Sequence, residues 1–172
     1  MKLYSIYILN KAGGLIYQNN LDPSLNRLTA NDYLVLAGTL HGVHAIAAKL
    51  TPTIVGKDST STTSGTDPTA NNALLLSTGK VQNSNTNKTG LGSIETDLFN
   101  LYVFQSLTGI KFILITSPNP ILQKQHEQAS ETFRHLYVLY SDYVMKDPFY
   151  SLDMPIKSQL FDLKVGELAA LV

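Results

Sequence analysis

The chain has 172 residues, with Lys plus Arg balancing Asp plus Glu at thirteen each, and it contains no cysteine. That length suffices for one domain with a buried core, and zero net charge leaves no overall field to gather nucleic acid or an anionic membrane. The missing thiols exclude disulfides, thiolate metal sites, a Cys nucleophile and palmitoylation, and are expected of a reducing compartment.

In chain order, Leu3-Tyr4-Ser5-Ile6-Tyr7-Ile8-Leu9 and Leu15-Ile16-Tyr17-Gln18 are rich in Ile and Tyr and flank Asn10-Lys11-Ala12-Gly13-Gly14. Lys2 ahead of an apolar run and then Ala12-Gly13 mimic a signal peptide, but the Tyr and Ile content and the second apolar segment read as a β-hairpin, and the protein as cytosolic. The glycines raise the question of a phosphate loop. Such a loop needs Gly-x-x-x-x-Gly-Lys-Ser/Thr between a strand and a helix, whereas here a second strand follows, so Gly13 and Gly14 are turn residues and Lys11 is solvated.

Residues 31–50 place Tyr33, Leu36, Leu40, Val43, Ala47 and Leu50 in alternating steps of three and four, which predicts a helix capped by Thr29 or Asn31 and followed by Pro52. From 51 to 92 the patterning stops. Ser59-Thr60-Ser61-Thr62-Thr63-Ser64 and Asn83-Ser84-Asn85-Thr86-Asn87 cannot repay their ordering entropy by burial, so a low-complexity, disordered insertion is expected there. Leu74-Leu75-Leu76 is its longest apolar spot, read as an incidental patch rather than a docking peptide. Residues 94–116 hold two or three strands with a turn at Thr108-Gly109. A long helix is predicted over 121–146, with Ala129, Phe133, Leu136, Tyr140 and Val144 on one face and Pro148 beyond its end. A short last helix is expected to start near Asp162. The order β-β-α-(insertion)-β-β-β-α-α predicts an α+β layered domain: a five-stranded antiparallel sheet with both faces of the first strand (Leu3, Tyr7, Leu9 against Tyr4, Ile6, Ile8) covered by helices.

A search for catalytic groups returns nothing. His41 and His44 stand one helical turn apart, as two metal ligands could, but no third ligand accompanies them. Gly90-Leu91-Gly92 is too short for a dinucleotide fingerprint, Glu95-Thr96-Asp97 reads as a turn, and no Gly-x-Ser-x-Gly elbow occurs. No basic run with interleaved aromatics points to nucleic acid. No cofactor and no metal are expected.

The chain does carry surplus apolar surface. Leu34, Val35 and Ile46 add to the stripe of the first helix and make it apolar almost all round, while Gly38, Gly42 and Ala45 form a small-residue seam. Interior glycines cost about 1 kcal/mol each against alanine, and close approach of a partner backbone is a compensation. A partner on this helix is therefore expected.

Four segments resemble the sybindin-like small subunits of the TRAPP vesicle-tethering complex, whose domains are of the longin type: Asn10–Gln18 (NKAGGLIYQ), Leu36–Ile46 (LAGTLHGVHAI), Gln105–Phe112 (QSLTGIKF) and Tyr140–Ile156 (YSDYVMKDPFYSLDMPI). The last is long and specific to that family; the third is shared loosely with other longin subunits. The resemblance covers nearly everything except 51–92 and the extreme C-terminus.

The resemblance implies one longin domain over 1–172, its sheet carrying one helix on one face and two on the other. It also implies a non-catalytic core subunit of a multisubunit guanine-nucleotide exchange factor for a Rab-family GTPase, acting in endoplasmic reticulum-to-Golgi transport and autophagy. Its partners would be other longin and α/β subunits and, through the assembled platform, the GTPase. Localisation would be cytoplasmic and peripheral on cis-Golgi and endoplasmic reticulum membranes, without insertion. Some relatives carry an extra globular domain before the first helix. Only residues 19–29 lie there here, and the Ser/Thr/Asn-rich stretch looks like what fungal members have instead. The alternative is a longin-type adaptor, coat or SNARE-associated subunit without exchange activity. A membrane SNARE would need a coiled coil and an anchor, and an adaptor-coat subunit would not be expected to share the segment 140–156. The candidate partner interface is Gly38, His41, Gly42, His44 and Lys49 on the first helix, with Phe149, Tyr150 and Met154 in the extended segment after the long second helix, whose aromatic, loop-like character is that of an interface hot spot.

Overall fold

Runs of Ile, Tyr, Val and Phe punctuated by glycine turns build the sheet. The computed structural model describes residues 1–23, 28–49, 90–118 and 122–171. The strands are β1 (Leu3–Leu9), β2 (Leu15–Asn20), β3 (Ser93–Glu95), β4 (Asn100–Gln105) and β5 (Lys111–Thr116); the helices are α1 (Ala30–Ala47), α2 (Leu122–Tyr140) and α3 (Gln159–Leu171). The expected disordered insertion, with its Leu74–Leu76 patch, lies outside the described residues save for Gly90–Gly92, where the Gly92 carbonyl accepts from Val103 N (2.9 Å).

All strand pairs are antiparallel, in the order β2-β1-β5-β4-β3. The two central strands, β1 and β5, are buried on both faces, as strands sandwiched between helices must be. One face packs Tyr7, Leu9, Leu101, Val103, Ile113 and Ile115 against Tyr33 and Ala37 of α1. The other packs Ile6, Ile8, Tyr102, Phe112 and Leu114 against Ala129, Phe133 and Leu136 of α2 and Phe161, Val165 and Leu168 of α3. Aromatic pairs reinforce both layers, Tyr7 on Tyr33 (centroids 5.9 Å apart) and Tyr17 edge-on to Phe161 (4.9 Å). This is the expected α+β architecture of one helix against two.

Three local expectations need correction, and one open alternative is decided. A register shift between Leu3 and Ser5 in the β1–β5 pairing puts a bulge at Tyr4, so Leu3 joins Ile6 and Ile8 on the α2 face while Tyr4 packs on the α1 face. The long helix leaves α geometry at Tyr140 and closes with a π-helical turn, Ser141–Met145, that buries Val144. The last helix starts three residues before Asp162, because Ser158 caps it: its carbonyl accepts from Asp162 N (3.0 Å) and its Oγ from Phe161 N (3.3 Å). Thr29, not Asn31, caps α1, in a reciprocal box with Asp32.

A polar cluster missed in the sequence fixes the start of α2. Gln125, fully buried, accepts from Asn100 Nδ2 (3.1 Å) and donates to Thr116 Oγ1 (3.1 Å) and to the Ser117 carbonyl (2.7 Å). It ties α2 to the ends of β4 and β5.

Candidate functional site

The candidate residues fall on two surfaces that converge toward one end of the sheet, where β1 and β4 finish and β2 and β5 begin. α1 runs toward that end on one face, and α2 delivers the segment after it on the other.

On α1 the sheet takes Tyr33, Ala37 and His44, and the opposite side is open. Leu34, Val35 and Ile46 stand 59%, 60% and 61% exposed, with Val43 beside them. A Cβ built on Gly38 or Gly42 would meet nothing within 4 Å, so the small residues face outward, not into the sheet. From Leu34 to Ile46 this face carries no charge; Asp32 and Lys49 bound it. Its backbone is therefore accessible along a shallow seam between aliphatic ridges, the shape that admits a second helix or strand at short range.

The two histidines do not share that face. His44 is 3% exposed, and its Nε2 donates to Gln105 Oε1 across 2.6 Å, so it joins α1 to β4 and cannot be a surface contact. His41 is half-buried over the β1–β2 turn, where a Cβ on Gly13 would come within 2.6 Å of its Cγ. Burial first, then the positive charge of Lys111 and the neighbouring His44, lowers the His41 pKa below the usual imidazole value. Lys111 is itself buried, donates to the Gly109 carbonyl (3.3 Å), and is pushed below the usual lysine range by that burial. Lys49 is exposed just beyond the end of α1, with no ion pair among the described residues. Among the described residues no group of three or more His, Asp or Glu side chains could hold a metal ion.

Beyond the π-turn the chain is loop-like, as expected. Phe149 is 92% exposed and Met154 is exposed, whereas Tyr150 is half-buried against the α2–α3 core. Burial raises the Tyr150 phenol pKa, the hydrogen bond with Tyr140 offsetting part of that, and Asp153 adds to it. Two links hold the segment to the sheet: Asn10 Nδ2 donates to Asp153 Oδ1 (3.0 Å), and Ile156 N donates to the Ile16 carbonyl on the outer edge of β2 (2.8 Å). Leu107 in the β4–β5 turn, fully exposed, was not singled out from sequence; a lone Leu in a turn carries no periodic signal.

Residues 3–171 match the model of the Sybindin-like family. This chain belongs to the sybindin-like family. It is 39% identical to trafficking protein particle complex subunit 4 of Dictyostelium discoideum over 168 residues, covering 98% of this chain and 96% of the relative. The bovine subunit 4 is 30% identical over 207 aligned positions, 94% of this chain and 91% of the relative. That alignment is longer than this sybindin-like chain's 172 residues, so the bovine relative carries segments absent here. Subunit 1 of the Dictyostelium complex is more distant, at 24% over 162 residues. The family and the longin-like architecture expected from the four motif segments are thereby borne out. No helix among the described residues is long and apolar enough to cross a membrane.

Proposed function

We propose that this chain is a non-catalytic core subunit of a TRAPP vesicle-tethering complex, held in place by the outer face of α1. The observation that carries the reading is that face: uncharged, aliphatic, with Gly38 and Gly42 open to an approaching backbone, on a chain whose relatives are named as subunits of the trafficking particle. Exposed apolar surface of this kind marks a protein–protein contact.

The assembled complex would serve as a guanine-nucleotide exchange factor for a Rab-family GTPase in endoplasmic reticulum-to-Golgi transport and autophagy, the protein being cytoplasmic and peripheral on those membranes. Exchange stabilises a GTPase with an opened nucleotide pocket, which is differential binding and needs no acid, base or nucleophile from this chain. Lys49 and the accessible edge of His41 are offered to the GTPase or to a neighbouring subunit; His44 acts only by holding α1.

Co-expression with the other small subunits tests this. The native mass should correspond to one defined hetero-oligomer, and Val35→Asp with Ile46→Asp should remove this chain from it. The reconstituted complex, and not the lone chain, should accelerate nucleotide release from a Rab GTPase, and His41→Asp with Lys49→Glu should slow it. A lone monomer under these conditions would sink the subunit reading. An assembled complex inactive on Rab GTPases would leave an adaptor-type role.

A further inference from the structure

Three loops at one end of the sheet are braced against one another. In the β1–β2 turn, buried Asn10 accepts through Oδ1 from Gly14 N (2.7 Å) while donating through Nδ2 to Asp153. Lys11 lays its stem along the β4–β5 turn, where a Cβ on Gly109 would sit 3.0 Å from Lys11 Cγ. That turn is closed by Ser106 N to the Ile110 carbonyl (2.8 Å), Gly109 N to the Ser106 carbonyl (3.0 Å), and a Ser106–Thr108 hydroxyl pair (2.8 Å). The segment after α2 is held by Phe149 N to Asp147 Oδ1 (2.9 Å), Met154 N to the Ser151 carbonyl (2.9 Å) and Tyr150 Oη to the Met154 carbonyl (3.0 Å).

From this frame Leu107 and Phe149 project into solvent, with Leu152 and Met154 more than half exposed. An apolar tip on a braced loop loses little entropy when it enters a recess, so it is preorganised for binding. Lys11, also exposed, belongs to the β1–β2 turn that contacts both other loops, and it has no ion pair among the described residues. The nearby carboxylates are already engaged, Asp147 with Phe149 N in its own loop and Asp153 with Asn10 in the β1–β2 turn.

We propose that these three loops form a single docking surface for one neighbouring protein subunit, with Leu107 and Phe149 as its two apolar anchors and Lys11 as its cation. The partner is a protein that presents two apolar recesses and a carboxylate. A lipid surface fits less well, because Asp147 and Asp153 would be carried with Phe149 and Leu152 into an anionic headgroup layer. The inference rests on the subunit reading above but uses a surface separate from the outer face of α1.

The test uses the full chain co-expressed with the other small subunits, with a photo-activatable phenylalanine derivative at position 107 or, separately, 149. Both positions are expected to cross-link to the same neighbour. Leu107→Asp with Phe149→Ser should lower retention of that neighbour about tenfold or more, the range of a hot-spot pair, with the thermal melt of the purified chain unchanged. Lys11→Glu, solvated and without a structural bond, gives a second variant should the double one melt early, and should weaken retention more at low salt than at high. Adducts to two different subunits, to lipid or to a second copy of this chain, or undiminished retention in both variants, would overturn the proposal. If the wild-type chain joins no subunit at all, the subunit reading has failed; if it assembles and these variants assemble equally well, only the docking surface has.

Discussion

His44 on α1 and Gln105 on β4, 61 residues apart in the chain, share a 2.6 Å hydrogen bond beneath the helix. The amide oxygen can only accept, so the Nε2 hydrogen of His44 is directed at it. Gln105→Ala leaves that donor buried and unmet and should cost about 1–3 kcal/mol. In a double-mutant cycle with His44→Ala, urea titration should give a coupling above about 0.5 kcal/mol. Additive losses would mean that the bond contributes nothing beyond packing.

The glycines separate into two kinds. Gly13 has φ of 91° and the His41 ring over it, so Gly13→Ala combines a disfavoured backbone with a clash and should lower Tm markedly. Adding His41→Ala should restore the steric part only. Gly38 is helical with open space around it, so Gly38→Ala should stabilise the isolated chain by about 1 kcal/mol. If the seam admits a partner backbone, the same substitution weakens assembly. Melting and native-mass measurements on one variant should move in opposite directions.

Stability should depend on pH through His41. Its folded pKa lies below the ordinary value of 6.5, so the unfolded chain binds the proton more readily. The stability linked to its neutral form is present above pH 6.5 and is lost as pH falls through the lower folded value. Tm should therefore drop more between pH 7 and pH 5 in the wild type than in His41→Gln, both values being roughly half a unit or more on either side of an ordinary histidine. Lys111→Met removes one cause of the depression and should raise the His41 pKa in an NMR titration. An unmoved pKa would remove Lys111 from the causes and leave burial and the neighbouring His44.

Gln125 anchors α2 through three hydrogen bonds. Gln125→Leu strands Asn100 Nδ2 and the Ser117 carbonyl, and should destabilise by roughly 3 kcal/mol. Lys124→Ala, next to it and exposed, should stay within about 0.5 kcal/mol, and guanidinium unfolding of the pair separates the two.

The layers were legible because period and punctuation survive in a single sequence: the three-and-four steps from Tyr33 to Ala47 and the glycine turns at Gly13 and Gly109 fix the elements. The bulge at Tyr4 was not, since in a run apolar at nearly every position a one-residue slip changes no visible pattern. His44 was read as a surface group because nothing in sequence couples it to Gln105. The seam at Gly38 and Gly42 was legible as residue types but not as a direction. The loop surface at Leu107 depends on side chains from three turns meeting, which no local window contains.

The π-turn at Ser141–Met145 sets an angular phase for everything that follows it. Its bonds span five residues where an α-helix spans four, so the chain leaves α2 one residue late in rotation, about 100° at 3.6 residues per turn. Val144 stays on the inward face that its four-residue step from Tyr140 already predicts, while Met145 faces solvent. Removing a single residue here would let the helix continue regularly, keep nearly all the buried apolar surface, and aim Phe149 and Asp153 away from Asn10. In this protein an indel of one residue at the end of α2 would act as a change of aim, not a loss of fold.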